Sequence, residues 1–320
     1  MDRRAFLKTA ALTSSAAWLT PRTWAIPATA EAGARPIRFG IISDLHHLQW
    51  GKTEEPRLKV FMDSVVAAPP DFIIQCGDFC RPLKSEGIMA EWSRFAGPKY
   101  HVLGNHDMDV CDKATIMKLW GMERPYYSFD QGGYHFVVLD RNFLRRDDGS
   151  LADYATSNWS RLPSPQRSFS DPAQLEWLRQ DLAQTNKPII VFMHQPVFLT
   201  DFPDEIGNAS EILAIFDQVN FAAAKTGGAA RVTAVFMGHD HDDRYGQRNG
   251  VHYFLQNSAT YVYCSQGAFF YNEPLFAFVT LDPAGTLKIE GRTSTYRDKT
   301  PDEVRAKFPT CISNRDVRLT

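Results

Sequence analysis

The sequence predicts an α/β fold in which a β-sheet with parallel and antiparallel parts is layered by helices. Short runs rich in Ile, Val and Phe alternate with amphipathic segments through most of the chain, and closely spaced strands follow from Val251. The chain has 320 residues, of which 44% are hydrophobic, which is enough for a substantial core. No internal repeat is evident in the sequence, so a repeat array is not supported.

The first strands are predicted from short apolar runs, which are typical of buried strands. These runs cover residues 38–43, 72–76, 100–103, 134–140, 188–193 and 232–237. Helical spacing of apolar residues predicts helices at 57–67, 113–120 and 171–184. The last helix has the clearest pattern, because Asp171 can cap it and Pro172 suits its first turn.

The remaining chain divides into regular and irregular stretches. Strands are predicted at 251–256, 275–281 and 286–290, with a turn at 283–285 between the last two. Residues 143–170 and 199–210 lack a regular pattern. Long loops inside a compact domain are often functional, so we expect these two to form the rim of an active-site cleft.

The N-terminus is predicted to be an export signal. Arg3-Arg4, an apolar run at 10–19 and the small-x-small site Ala28-Thr29-Ala30 resemble a twin-arginine signal peptide. The alternative is a frayed basic terminus. The apolar run is too short for a permanent membrane span. We therefore expect residues 1–30 to be removed, residues 31–320 to form a single domain, and the twin-arginine translocase to deliver it to the periplasm or outside a bacterium.

Net charge bears on whether the protein binds nucleic acid, and cysteine content bears on disulfide pairing. The formal net charge of -2 gives no electrostatic reason to expect a nucleic acid partner. The five cysteines are an odd number for an oxidising compartment, so at least one stays free or pairs between chains. A Cys80 to Cys111 disulfide is one possibility and buried free thiols are the other. The oligomeric state is not specified.

Short polar blocks directly follow several predicted strands. They are Asp44-Leu45-His46, Gly77-Asp78, Gly104-Asn105-His106-Asp107, His194 and Gly238-His239-Asp240-His241. Their side chains would emerge at one sheet edge and converge. Mixed nitrogen and oxygen ligands favour transition metals such as Mn, Fe, Zn or Ni over Mg or Ca. A carboxylate from Asp78 can bridge two such ions, which can share a hydroxide as nucleophile.

These blocks, in this order over residues 37–241, resemble the calcineurin-like metallophosphoesterase superfamily. The resemblance implies a four-layer αββα sandwich with mixed sheets and a dinuclear metal centre. It implies that Asp44, His46 and His241 hold the first metal ion and Asn105, His194 and His239 the second. Asp78 would bridge them, and a metal-bridging hydroxide would attack phosphorus in line.

The resemblance also assigns roles beside the metals. His106 would contact the phosphoryl oxygen or protonate the leaving group, and Asp107 would orient its ring. One departure concerns purple acid phosphatases, which carry a tyrosinate ligand three residues after the bridging aspartate. Here that position is Arg81, so a tyrosinate chromophore is not expected.

The leading functional hypothesis is an exported phosphodiesterase of the cyclic-nucleotide or glycerophosphodiester type. The alternatives are a broad phosphomonoesterase that scavenges phosphate and a non-catalytic metal-binding scaffold, although a pure scaffold would not need His106 and Asp107. Trp50, Arg141 and Phe198 are candidates for contacting a small phosphate ester substrate. For each of the three, an ordinary surface or packing role is the alternative.

Overall fold

A computed structural model describes residues 35–49 and 54–319. The predicted signal peptide and Trp50 lie outside the described residues, so both stay predictions. Among the helices within the described ranges, none combines the length and the apolar character needed to cross a bilayer.

The described residues form six α-helices and sixteen strands, several of them short. The helices are α1 Glu54–Ala67, α2 Glu86–Trp92, α3 Lys113–Trp120, α4 Pro172–Gln184, α5 Ala209–Thr226 and α6 Asp302–Lys307. The strands are β1 Ile37–Ile42, β2 Phe72–Gln75, β3 Lys99–His101, β4 Tyr127–Gln131, β5 Tyr134–Val138, β6 Phe143–Arg145, β7 Leu151–Asp153, β8 Ile189–Phe192, β9 Val232–Met237, β10 Arg244–Arg248, β11 Val251–Leu255, β12 Tyr261–Cys264, β13 Gly267–Phe270, β14 Ala277–Asp282, β15 Thr286–Gly291 and β16 Arg315–Arg318.

Two six-stranded mixed sheets dominate the architecture. The first has the strand order β16-β15-β14-β1-β2-β3, and the second has the order β10-β11-β9-β8-β5-β4. Strand β1 pairs parallel to β2 and antiparallel to β14, while β8 pairs parallel to both β5 and β9. Two small hairpins, β6-β7 and β12-β13, lie outside these sheets.

The two sheets pack face to face over an apolar core. Phe39 of the first sheet stacks on Phe72 with ring centroids 4.8 Å apart, and its edge meets Phe192 and Phe236 of the second sheet. Such stacked and edge-on aromatic contacts add to the free energy gained by burial. The core therefore fixes how the two sheets, and the loops at their edges, lie relative to each other.

Helices cover the outer face of each sheet. Residues of α1, α2 and α3, including Phe61, Trp92 and Ile116, pack in a cluster with residues of the first sheet. Residues of α4 and α5, including Leu178 and Phe216, pack in a cluster with residues of the second. The predicted αββα sandwich is thus confirmed.

Several helices and strands lie where the sequence predicts them. Asp171 accepts a hydrogen bond from the backbone N–H of Gln174 at 2.7 Å, so it caps α4 as predicted. The predicted strands are found with ends shifted by a few residues.

Other elements went unpredicted. Helix α5 was missed, although Ile212, Ile215 and Phe216 carry helical spacing. The stretch 143–170, expected to be irregular, contains the β6-β7 hairpin.

Candidate functional site

The predicted ligand residues converge where parallel strands of the two sheets end. Asp44, Asp78 and Asn105 follow β1, β2 and β3, and His194 and His239 follow β8 and β9. Carboxyl ends of parallel strands meet at one edge, which is where open α/β sheets bind ligands. Here the edges of both sheets meet, and we call the seven predicted ligand residues the inner wall: Asp44, His46, Asp78, Asn105, His194, His239 and His241.

Five of the seven inner-wall residues have a backbone conformation that L-residues rarely adopt. Asp44, Asp78 and His239 have φ angles of 54°, 52° and 76°, and His46 and His241 have 55° and 54°. Left-handed backbone at non-glycine residues costs free energy and is concentrated at functional sites. Backbone hydrogen bonds between the loops, such as Asp44 N–H to the Gly77 carbonyl at 3.0 Å, hold this conformation.

Two glycines permit the close approach of these loops. A Cβ atom at Gly104 would lie 2.1 Å from the backbone nitrogen of Asp78, and one at Gly77 would lie 2.4 Å from Nδ1 of His194. No side chain fits at such distances. The glycines of these two blocks are therefore required by packing.

The ligand atoms form two groups. Asp44, His46 and His241 form one, and Asp78, His194 and His239 form the other, with the ligand atoms of each group within 4.8 Å of one another. Nε2 of His46 and Nε2 of His241 lie 2.8 Å apart. Oδ2 of Asp78 lies 3.2 Å from Nε2 of His194 and 3.7 Å from Nε2 of His46, so this carboxylate faces both groups.

Asn105 completes the second group. Its Oδ1 lies 3.2 Å from Nε2 of His194 and 3.0 Å from Nδ1 of His239, while its buried Nδ2 has no hydrogen-bond partner in the described part of the chain. Nδ1 of His194 donates to the Cys76 carbonyl at 2.8 Å, which turns Nε2 toward the ligand groups. Convergent imidazole nitrogens and carboxylate and amide oxygens fit two divalent transition metal ions.

The ionisation of the inner wall suits cation binding. Burial alone raises the pKa of Asp44, but the facing histidines, His194 first, outweigh it and hold the pKa well below its usual value. His194 lowers the pKa of Asp78 against burial in the same way. Burial lowers the pKa of His46 to about 4 and that of His239 to about 3. At neutral pH the carboxylates are charged and these two imidazoles neutral, as ligands must be. The same carboxylates, Asp78 first, outweigh burial and raise the pKa of His194 to about 10, so His194 has to release a proton when it binds a metal ion.

His106 faces the cavity beside the ligand groups. Its side chain is 27% exposed, whereas that of His194 is fully buried. Nδ1 of His106 lies 2.9 Å from Oδ2 of Asp109, and Asp109 also forms an ion pair with Arg81. Burial lowers the pKa of His106, but the carboxylates of Asp78 and Asp109 outweigh burial and raise it overall.

The prediction that Asp107 orients the His106 ring is wrong. The carboxylate of Asp107 accepts hydrogen bonds from the backbone N–H groups of Asp78, Phe79 and Gly104 at 3.0, 2.8 and 2.7 Å. Asp107 therefore ties the second and third polar blocks together. Asp109, three residues after His106 on the same 3₁₀ turn, is the carboxylate that reaches the ring.

A cavity of about 310 Å³ opens over the ligand groups. Apart from ligands and His106, its lining includes residues that we call the outer wall: Gln49, Trp159, Arg167, Phe202, Glu205, Tyr261 and Tyr263. Four of these lie in the two stretches predicted to form a rim, so that prediction is confirmed. Tyr261 and Tyr263 belong to the β12-β13 hairpin, for which the sequence offered no functional signal.

The outer wall carries one guanidinium beside a carboxylate. Nη1 of Arg167 lies 3.3 Å from Oε2 of Glu205, and Oε1 of Glu205 lies 3.8 Å from Nε2 of His239. Burial raises the pKa of Glu205, and Arg167 opposes this only in part. The two rim loops thus meet through this ion pair at the edge of the ligand groups.

Two proposed substrate contacts need correction. Arg141 is completely buried, and its guanidinium donates hydrogen bonds to the carbonyl of Ser168, at 2.7 Å, and to that of Ile206. Ser168 and Ile206 belong to different rim loops, so Arg141 links the two loops. Phe198 packs against Tyr253 with ring centroids 5.1 Å apart. Neither residue lines the cavity. The third candidate, Trp50, lies outside the described residues.

The cysteines in the described ranges are free thiols. Cys80 accepts a hydrogen bond from the Trp120 indole at 3.3 Å, and Cys111 donates to the Asp107 carbonyl at the same distance. Burial raises the pKa of both thiols to about 12. Of the two alternatives, the structure has buried free thiols rather than the Cys80 to Cys111 disulfide.

Sequence comparison relates the chain to phosphoester-cleaving proteins. A calcineurin-like phosphoesterase profile matches residues 37–243. The chain is 27% identical over 277 residues to a 3′,5′-cyclic-nucleotide phosphodiesterase of Nostoc sp., covering 80% of this chain and 92% of that protein. It is 26% identical over 223 residues to a manganese-dependent ADP-ribose/CDP-alcohol diphosphatase of Oryza sativa subsp. japonica, covering 57% of this chain and 66% of that enzyme.

Comparison with solved structures supports the same fold. A dimetal phosphatase from Danio rerio aligns with a TM-score of 0.64 at 15% identity, covering 89% of this chain and 99% of that one. The inner-membrane-complex anchor protein of Plasmodium aligns with a TM-score of 0.53 at 15% identity, covering 89% of this chain and 90% of that one. At this identity the likeness concerns the arrangement of the chain alone.

Proposed function

Since the chain belongs to the calcineurin-like phosphoesterase family, we propose that it hydrolyses small phosphodiesters, of the cyclic-nucleotide or glycerophosphodiester type. Membership of this family, together with the two named relatives, shows that the protein is a metal-dependent phosphoric ester hydrolase. The preference for diesters is our inference, and the cyclic-nucleotide phosphodiesterase among the relatives supports it.

The composition of the outer wall is the observation that carries this inference. Its lining includes four aromatic side chains, of which Phe202 and Tyr263 are exposed and Trp159 and Tyr261 buried, against one guanidinium that is already paired with Glu205. A phosphomonoester is nearly a dianion at neutral pH and calls for additional cationic groups. A diester carries one charge and a second organic group, which aromatic surface contacts well. The cavity therefore favours a diester.

The metal ions would be held by the inner wall. Asp44, His46 and His241 would bind one ion and Asn105, His194 and His239 the other, with Asp78 placed to serve both. When bound, the ions supply positive charge to the phosphate oxygens and to the attacking water. The mixed nitrogen and oxygen ligands point to Mn, Fe, Zn or Ni.

The remaining residues position the substrate and move a proton. Water adds to phosphorus while the bond to the leaving oxygen breaks, giving a phosphomonoester and an alcohol. His106, whose raised pKa favours the protonated form, is placed to give a proton to that leaving oxygen. Asp109 holds the His106 ring by its Nδ1, while Nε2 lies 3.4 Å from the amide nitrogen of Gln49, which also lines the cavity. Nε2 would reach the leaving oxygen when the substrate takes the place of this amide.

Turnover of metal-stripped enzyme reloaded with Mn, Zn, Ni or Fe tests this function. We expect bis(4-nitrophenyl) phosphate to be cleaved with a higher kcat/KM than 4-nitrophenyl phosphate, and 3′,5′-cyclic AMP to be opened. Preference for the monoester would support the scavenging phosphatase instead. Metal binding without turnover of any ester would leave the non-catalytic scaffold.

We also propose that the chain is exported by the twin-arginine route and acts in the periplasm or outside the cell as a single domain, residues 31–320. The paired Arg3-Arg4, the apolar run and the cleavage site support this. Cell fractionation of wild type and of a double variant, Arg3→Lys with Arg4→Lys, tests it. Equal export of the two, or retention of both in the cytoplasm, would contradict the proposal.

A further inference from the structure

A second cavity adjoins the one over the ligand groups. It has a volume of about 430 Å³ and lies between the β12-β13 hairpin, the loop after β8 and helix α6. Phe202, Asp240 and Tyr263 line both cavities, so the two form one continuous cleft. Volumes of this order accommodate small organic ligands.

The junction between the cavities is aromatic and exposed. Phe202 and Tyr263 are 47% and 53% exposed and line both cavities together, and exposed aromatic surface gathered in a groove marks a ligand-binding site. The centroid of the Phe202 ring lies 6.3 Å from that of His239, so Phe202 borders the second ligand group. A planar group attached to a phosphate held at the ligand groups would therefore reach these two rings.

A buried polar atom lies at the same junction. Oδ1 of Asp240 is buried without a hydrogen-bond partner among the described residues, while Oδ2 accepts from the backbone N–H of Asp201 at 3.1 Å. An unpaired buried acceptor costs free energy unless a donor reaches it. The Thr200 hydroxyl already interacts with this carboxyl group, and a ligand hydroxyl would be a second donor of the same kind.

The charges of the second cavity disfavour another phosphate. Its lining includes the carboxylates of Asp201, Asp240 and Glu303 but only one cation, Lys307. Nζ of Lys307 already lies 3.2 Å from Oδ2 of Asp201, and Glu303 accepts from Gln266 at 3.1 Å. The second cavity is therefore suited to a neutral group that carries hydrogen-bond donors.

We propose that the second cavity is the subsite for the nucleoside substituent of the substrate, with Phe202 and Tyr263 contacting the base and Asp240 accepting from a sugar hydroxyl. This proposal rests on the phosphodiesterase function proposed above and names its substrate class as nucleoside phosphodiesters. A nucleoside combines a planar base with hydroxyl donors and has no charge of its own. Stacking of a base on an aromatic side chain tolerates any base, so selection among bases is expected to be weak.

Two diesters that release the same leaving group test the subsite. Thymidine 5′-(4-nitrophenyl) phosphate carries the nucleoside, and methyl 4-nitrophenyl phosphate lacks it. With Mn-loaded wild type we expect kcat/KM to be about tenfold higher for the nucleoside diester. A 3′-phosphate on that thymidine should lower kcat/KM, because the cavity is lined by carboxylates.

Variants test whether the preference for the nucleoside diester arises in the second cavity. Phe202→Ala and Tyr263→Ala should each reduce the ratio of the two kcat/KM values about fivefold to tenfold. Ser265→Trp, which places a bulky ring in the second cavity only, should remove the preference. The matched control is Phe221→Ala, since Phe221 is an exposed aromatic outside both cavities and its loss should leave the ratio unchanged.

The outcomes separate this proposal from the function on which it rests. An unchanged ratio in Phe202→Ala, Tyr263→Ala and Ser265→Trp would overturn the subsite and leave the phosphodiesterase intact. A gain from the 3′-phosphate would make the cavity a phosphate subsite instead. If wild type cleaves neither diester, the proposed function fails. Calorimetric binding of thymidine 5′-methyl phosphate to wild type and Ser265→Trp then decides the subsite, since equal affinity would overturn it.

Discussion

The inner and outer walls of the cavity face the same space but are built differently. Inner-wall side chains come from the residues after sheet strands and are buried, Asp44 and His194 fully so, except for His239, whose side chain is 14% exposed. Outer-wall side chains come from loops and a hairpin, and Phe202 and Tyr263 are about half exposed. The strands fix the ligands and hence the chemistry, whereas the loops can vary without disturbing the core. Reaction type and substrate choice are thus encoded in separate parts of this chain.

Removing the shared carboxylate should have the largest effect. Asp78→Ala deletes a carboxylate that faces both ligand groups, so we expect turnover to fall by ~1,000-fold or more. Metal content, measured by mass spectrometry of the purified variant, should fall with it. The matched control is Asp63→Ala, an exposed carboxylate on α1. Full activity of Asp78→Ala would contradict the two-metal arrangement.

Removing the residue between the two walls should affect turnover alone. His106→Ala is expected to reduce kcat by about 100-fold, the usual size of general acid catalysis, while metal content stays near that of wild type. Loss of metal would show that His106 is a ligand.

The same comparison separates Asp109 from Asp107. Asp109→Asn should reduce kcat about tenfold with little change in melting temperature, because it loosens the His106 ring. Asp107→Asn should mainly lower the melting temperature, because it weakens three buried backbone hydrogen bonds. The reverse result would restore the assignment drawn from the sequence.

Loosening the rim should change binding more than chemistry. Arg141→Met leaves the carbonyls of Ser168 and Ile206 without their donor, which costs about 2 kcal/mol of unfolding free energy. We expect KM to rise severalfold with metal content unchanged. Arg145→Met, on β6 with an exposed side chain, is the matched control. An unchanged KM in Arg141→Met would show that the outer wall does not depend on this contact.

The last prediction concerns stability rather than turnover, through a buried histidine of β3, the strand that precedes Asn105 of the inner wall. His101 on β3 is buried, and Nε2 accepts the Trp92 indole N–H at 3.2 Å, so the imidazole is neutral. Burial lowers its pKa to about 3. Its contribution to stability is present above pH 6.5 and is lost as pH falls from 6.5 toward 3, at up to about 1.4 kcal/mol per pH unit.

Urea unfolding at pH 7, 6 and 5 measures this loss. In His101→Gln the free energy of unfolding should fall less steeply between pH 7 and pH 5 than in wild type. In His135→Gln the decrease should be as steep as in wild type. Burial lowers the pKa of His135, but the carboxylates of Asp181 and Asp130 outweigh burial and raise it. The His135 contribution is therefore present below pH 6.5 and lost at higher pH. An unchanged acid slope in His101→Gln would contradict the neutral buried imidazole.

The sequence by itself determined the layered α/β class, most central strands and the residues of the inner wall. These follow from local rules, since apolar runs predict buried strands and the residue after a strand must emerge at the sheet edge. Capping of α4 by Asp171 is equally local. The missed helix α5 carried a readable apolar spacing.

Only the tertiary structure decided which side chains meet across long distances in the chain. Asp107 and Asp109 are both carboxylates beside His106, and the direction of each depends on how the second and third polar blocks pack. Arg141 follows a strand like the ligands do, yet the two rim loops fold over it and bury it. The junction of Phe202 with Tyr263 joins segments some sixty residues apart. Such contacts depend on the packing of whole loops, for which neighbouring residues in the sequence carry no periodic signal.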